Sequence, residues 1–111
     1  MTGTFEVYKD QAGEFRFRLK SGNGQILLAS EGYKNKGSCL NGVDAIRRNA
    51  QQDALYERKH TQAGKFSFNL KATNGQVIGS SSSYDTPIAR DAVVQTVKVV
   101  APSAALNDST G

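Results

Sequence analysis

The sequence predicts an α+β fold: two tandem β-β-β-α repeats forming one antiparallel sheet, with two helices packed on one face about a pseudo-twofold axis. Three observations predict it. The chain matches itself without a gap at a shift of 51 residues, from Phe5/Tyr56 to Ala50/Ala101. Each copy carries an alternation of apolar and polar residues followed by Asn-Gly. Each copy then closes on an amphipathic stretch long enough for a helix.

The self-match includes Glu6/Glu57, Phe15/Phe66, Phe17/Phe68, Ser30/Ser81 and Tyr33/Tyr84. Gln-Ala-Gly recurs at 11 and 62, Leu-Lys at 19 and 70, and Asn-Gly-Gln at 23 and 74. Conservative pairs such as Ile26/Val77, Val43/Val94 and Ile46/Val97 extend it. A period of this length without insertions marks a duplicated supersecondary unit.

The first strand of each unit is short, Phe5–Tyr8 and Leu55–Lys59, and leads into turns at Asp10–Gly13 and Thr61–Gly64. The second strand, Phe15-Arg16-Phe17-Arg18-Leu19-Lys20, has the period-two pattern of a half-buried strand. The second copy keeps Phe66, Phe68 and Leu70 but changes the interleaved set to Ser67, Asn69 and Lys71. One face is therefore held by a core while the other is free to vary. Asn-Gly at 23–24 and 74–75 predicts a type I′ turn, with returning strands from Ile26 and Val77.

The stretch KGSCLNGVDAIRRN places Cys39, Leu40, Val43 and Ile46 on one helical stripe. Arg47 and Arg48 near its end suit the negative pole of the helix. In the second copy Thr86 is an N-cap and Pro87 occupies the first helical position. The valines at 93, 94, 97, 99 and 100 favour strand on propensity. The gapless match to a clearer helix outweighs them, and helix is predicted through about Val97. Gly42, aligned with Val93, marks a predicted close crossing of the two helices.

A three-stranded sheet with one helix is too small to close a core, so each repeat supplies half of one. The domain is expected to span 1–101, with repeats at 5–50 and 56–101. The small, polar segment 102–111 reads as a disordered tail.

At 111 residues the chain has room for one core. The net charge of +4, from 14 basic and 10 acidic residues, is compatible with polyanion binding without demonstrating it. No apolar run approaches the ~18 residues of a membrane span, and the N-terminus lacks the pattern of a secretory signal. The lone Cys39 excludes an internal disulfide framework and suits a reducing compartment. A cytoplasmic location without membrane association is expected.

The stretches YERKHTQAGKFSFNLKATNGQVIGSSSSY (56–84) and NGVDAIRRNA (41–50) resemble the YegP-like family, small bacterial proteins classed as a domain of unknown function. The resemblance runs from Phe5 to about Val100. Arg18 and Ser21 stand where the family more often has Asn and Ala, and Ala45 where it often has Ser. The resemblance implies the tandem fold, with single-repeat relatives reaching the same assembly as homodimers. A monomer, an internal pseudo-dimer, is therefore expected here. It implies no activity and carries over no catalytic residue.

The residues themselves offer little chemistry. His60, the one histidine, has no nucleophile at a recognised spacing and reads as a surface residue. Cys39 on the apolar stripe reads as an inert buried thiol. The serine run at 80–83 lacks a nearby base, and Asp44, Asp53, Asp91 and Asp108 form no paired-carboxylate or metal pattern. The Gly22–Gly24 stretch joins two strands and leads no helix, so it is no phosphate loop. No catalytic residue, cofactor or metal is expected.

The expected function is a non-catalytic binding or interaction module for a protein or ligand partner. The alternative is a weak nucleic-acid binder. Arg16, Arg18, Lys20, Lys65 and Lys71 share the open face of the sheet, a candidate cradle for phosphates. Against it, the phenylalanines face the core, whereas sheets that bind single strands display aromatics for stacking. Glu6, Glu14 and Glu57 also dilute the patch. A third reading places a peptide or small ligand in the groove near the pseudo-twofold, with no residue singled out.

Overall fold

A computed structural model describes residues 3–110. In chain order it contains β1 (Thr4–Lys9), β2 (Phe15–Lys20), β3 (Ile26–Ala29) and α1 (Lys36–Asn49). A 3-10 turn at Asp53–Leu55 leads into β4 (Tyr56–His60), β5 (Phe66–Lys71), β6 (Val77–Ser80) and α2 (Pro87–Val100). A second 3-10 turn, Ala101–Ser103, precedes β7 (Ala105–Asp108).

The hairpins within each copy share one device. The amides of Gly13, Gly24, Gly64 and Gly75 each bond the carbonyl three residues back, and each of these glycines has φ between 80 and 88°. No other residue type has positive φ among the described residues. The expected type I′ turn at Asn-Gly is thus not formed, because Asn23 and Asn74 stay on the negative side. Their side-chain oxygens accept the amides of Gln25 (3.2 Å) and Gln76 (3.0 Å) two residues on. The result is a type I turn closed by a left-handed glycine.

The sheet order is β4-β5-β6-β3-β2-β1-β7. Its first six strands are antiparallel and symmetric about the central contact of β3 with β6 at Ala29↔Ser80. Alternation puts Phe5, Val7, Phe17, Leu19, Leu28, Phe68 and Leu70 into one core, with Val43, Ile46, Val94 and Val97 from the helices. α1 packs on β2 and β6, and α2 on β5 and β3, so each helix covers a strand of the other copy. Near the axis, a side chain at Gly79 would lie 3.4 Å from its own repeat partner, Leu28. One leucine fills the space there and its counterpart has none.

α2 is helical throughout Pro87–Val100, three residues past the predicted limit. Val93, Val94, Val97 and Val100 are buried, and that burial overrides their strand preference. Asn35 caps α1 by accepting the Ser38 amide, and Thr86 caps α2 in the same way through Ala89. Gly42 serves no helix crossing. A Cβ there would meet the Tyr33 hydroxyl at 2.7 Å and the Phe17 ring at 2.9 Å, so the missing side chain makes room for these aromatics.

Residues 102–110 are not a disordered tail. β7 runs parallel to β1, and the amides of Ala105 and Ser109 donate to the carbonyls of Gly3 and Val7, both at 3.0 Å. Arg47 donates to the Ala104 carbonyl at 2.7 Å, and Lys36 pairs with Asp108. All four strand residues are exposed, so no apolar pattern marks them in the sequence. The attachment is made by backbone and charge.

Candidate functional site: the groove between the repeats

The open face of the sheet carries the five cations singled out above, and every one has a carboxylate partner. Arg16 pairs with Asp10 (2.6 Å), Arg18 and Lys20 with Glu6 (2.7 and 3.2 Å), Lys71 with Glu57 (3.3 Å), and Lys65 with Asp85. The Arg18 guanidinium also lies 4.7 Å from the centre of the Tyr8 ring. The carboxylates respond: hydrogen bonds from Arg18, Arg16 and Lys65 hold Glu6, Asp10 and Asp85 below the usual range. Glu57 is held low by Asn69 first and Lys71 second. The face is a set of local ion pairs in which four carboxylates engage five cations, Glu6 serving two of them.

The other residues weighed for chemistry lie apart. Cys39 is fully buried on α1, and burial pushes its thiol up, away from a reactive thiolate. His60, at the edge of the sheet, stacks on Phe66 with centroids 4.9 Å apart. Among the described residues no group of three or more His, Cys, Asp or Glu could hold a metal ion. No helix among them is long and apolar enough to cross a membrane.

The sequence singled out no residue for the groove near the pseudo-twofold, but the structure does. Tyr33, four α1 residues (Ser38, Asn41, Gly42 and Ala45) and three around the β5–β6 hairpin (Ala72, Gln76 and Ile78) line a half-open cavity of about 190 Å³. Both repeats contribute to it. Tyr33 stacks on Phe17 with centroids 6.4 Å apart, which fixes the ring as one wall. Burial pushes its hydroxyl up from the ordinary tyrosine value, so it enters the site as a neutral donor and acceptor. Among the described residues, the side chains of Tyr33, Ser38, Asn41 and Gln76 have no intramolecular hydrogen-bond partner.

The duplication supplies an internal control. At the matching place in the other copy, Ser38, Asn41 and Gly42 become Ala89, Ala92 and Val93. There burial again pushes the Tyr84 hydroxyl up from the ordinary tyrosine value, and Gln25, close enough to hydrogen-bond it, offsets part of the effect. Two further changes, Ala45 to Thr96 and Ala72 to Ser21, leave the two linings equally rich in polar side chains. The difference lies in their partners: Thr96 donates to the Ala92 carbonyl and Ser21 to Asn23, whereas the polar side chains around Tyr33 have no partner among the described residues. The three substitutions were visible in the sequence, but only the fold brings them against the hairpin of the other repeat.

Fold and groove together define a tandem-repeat α+β protein with a small uncharged site at the junction of its halves. The family model of a domain of unknown function, DUF1508, matches residues 10–57 and again residues 62–108, and the chain belongs to this family. A UPF0339 protein of Stutzerimonas stutzeri, named for its place in the ptx operon 5′ region, is 60% identical over 104 residues, 94% of each chain. The UPF0339 protein YegP of Escherichia coli K12 is 44% identical over 99% of this chain and all of its own. The solution NMR structure of E. coli yegP, a protein of unknown function, superposes with a TM-score of 0.94, covering 100% of this chain and 96% of its own at 44% identity. That of a UPF0339 protein from Shewanella oneidensis gives 0.92 at 35% identity, covering 97% and 92%.

Proposed function

We propose that the protein is a non-catalytic binding module whose contact site is the groove between its repeats. The observation that carries this reading is the local loss of symmetry. Ser38 and Asn41 present unpartnered polar side chains to the cavity where Ala89 and Ala92 stand in the twin. A concave site with an apolar body and a few unsatisfied polar groups is the common form of a binding site. The buried, protonated Cys39 and the stacked His60 support a role without catalysis. The ion pairs that engage all five open-face cations tell against nucleic-acid binding, because phosphates would have to displace carboxylates already in place. The module acts as a cytoplasmic monomer, its two repeats taking the part of two subunits.

An NMR screen tests the reading with a library of charged and neutral, aliphatic and aromatic fragments. Some of them should perturb the amides of Gly42, Ala45, Ala72 and Gln76, and the effect should vanish in Ala45→Phe, which fills the cavity. If no fragment touches these amides, the groove is not a binding site.

A further inference from the structure

The junction cavity has a definite size, charge and polarity, and together these restrict what can occupy it. At about 190 Å³ it exceeds the ~150 Å³ of a cavity that admits benzene and falls below the ~300 Å³ of drug-sized sites. One ring fills it. None of its eight lining residues carries a formal charge. An ionised ligand would lose hydration there with no counter-charge to compensate, which disfavours acids and amines alike.

The polar groups are arranged on two sides. Asn41 projects from α1 and Gln76 from the β5–β6 hairpin, so two carboxamides flank the opening. Each offers an N–H donor beside a carbonyl acceptor, the complement of another amide edge. The same bidentate logic lets Asn and Gln read an adenine edge in DNA. The Tyr33 and Ser38 hydroxyls add two groups that either donate or accept. The rest of the lining is Gly42 with the apolar side chains of Ala45, Ala72 and Ile78, which suits the face of a ring.

From this we infer that the groove binds an uncharged, planar, single-ring molecule carrying an amide-type donor–acceptor edge, with Asn41 and Gln76 reading that edge. The inference rests on the binding-module reading and adds the chemical class of the ligand. Benzamide and uracil serve as probes, with benzoate and benzylammonium as charged counterparts of similar size.

Titrated into the 15N-labelled full chain, benzamide and uracil should shift the amides of Gly42, Ala45, Ala72 and Gln76. The charged pair should bind about tenfold more weakly or worse, as the uncompensated loss of hydration requires. Gln76→Leu and Asn41→Leu should each weaken binding about fivefold or more, the loss of a net hydrogen bond, with the remaining spectrum unchanged. If charged probes bind as tightly, or if neither substitution matters, the ligand class is wrong while the groove stands as a binding site. If no probe of either kind shifts these amides but other fragments do, the class is again wrong. If nothing at all binds there, both conclusions fall.

Discussion

Removing residues 105–111 deletes β7 and uncovers the outer edge of β1. Three hydrogen bonds flank the parallel β1–β7 ladder, Ala105 N–H to Gly3 and the Ser109 N–H and hydroxyl to Val7, and the ladder itself pairs Thr4–Val7 with Ala105–Asp108. At about 0.5–1.5 kcal/mol net for each flanking bond, with the ladder adding to them and the exposed Lys36–Asp108 pair adding little, the truncation should cost at least about 2–4 kcal/mol. The side chains of β7 are exposed, so little apolar burial enters this figure. With a urea m-value of about 1–3 kcal/mol/M, the unfolding midpoint should fall by about 1 M or more. Equilibrium urea unfolding followed by circular dichroism measures it. Hydrogen exchange on the intact chain gives an independent reading, since the Ala105 and Ser109 amides should be protected. An unchanged midpoint in the truncated chain, with the Ser109 amide exchanging as in a free peptide, would refute the role assigned to this strand.

Three further outcomes follow from the same contacts. Lys36, and after it Thr110, lowers the Asp108 carboxyl from its ordinary 3.8 to about 2. Its contribution to stability is therefore complete above the unfolded pKa and is lost as pH falls towards 2. Carboxyl-detected NMR should place the Asp108 midpoint near 2 in the wild type and nearer the ordinary value in Lys36→Met; a wild-type midpoint of 3.8 sinks the assignment. Gly42→Val should destabilise the fold by about 1–3 kcal/mol, because its Cβ meets Tyr33 and Phe17 at 2.7 and 2.9 Å; thermal unfolding at wild-type temperature would show that the site has slack. Residues 1–52 alone should lack a cooperative unfolding transition, since α1 packs on β6 and Ile46 approaches Gly79; a compact monomer in dilute solution would contradict the shared core.

Much of the architecture is readable from residues that obey one periodicity in both copies. Phe15/Phe66, Phe17/Phe68 and Leu19/Leu70 announce the central strands, and Val43/Val94 with Ile46/Val97 announce the helices. β7 was illegible because strand patterns report burial, and its side chains bury nothing. The turn type was missed because Asn-Gly fits two turn geometries, and the Asn side chain selects between them through the amide two residues on. The alternation in the sequence groups the cations on one strand face but does not show their engagement by carboxylates. That engagement depends on cross-strand register, Glu6↔Arg18 and Glu57↔Asn69, which a single strand does not reveal.

The places where the copies disagree are more informative than the places where they agree. Buried symmetric features persist: Arg47 lies over Phe5 at 5.3 Å, and its counterpart Lys98 lies over Tyr56 at 5.6 Å. Along the outer edges the copies diverge, with Val7, Cys39 and Leu40 in one answered by Arg58, Arg90 and Asp91 in the other. The tail accounts for that. β7 covers the edge beside Val7, which is fully buried, whereas β4 has no such neighbour. There Arg58 turns inward to Asp91 and Asp53, both at 3.1 Å, and Lys98 joins Asp53 at 2.9 Å. Inward charge on an uncovered edge resists pairing with other chains. The second divergence, Ser38, Asn41 and Gly42 against Ala89, Ala92 and Val93, has no such internal cause. Among the described residues, the Ser38 and Asn41 side chains that it brings to the cavity have no hydrogen-bond partner. That contrast is the ground for the contact site proposed in the groove.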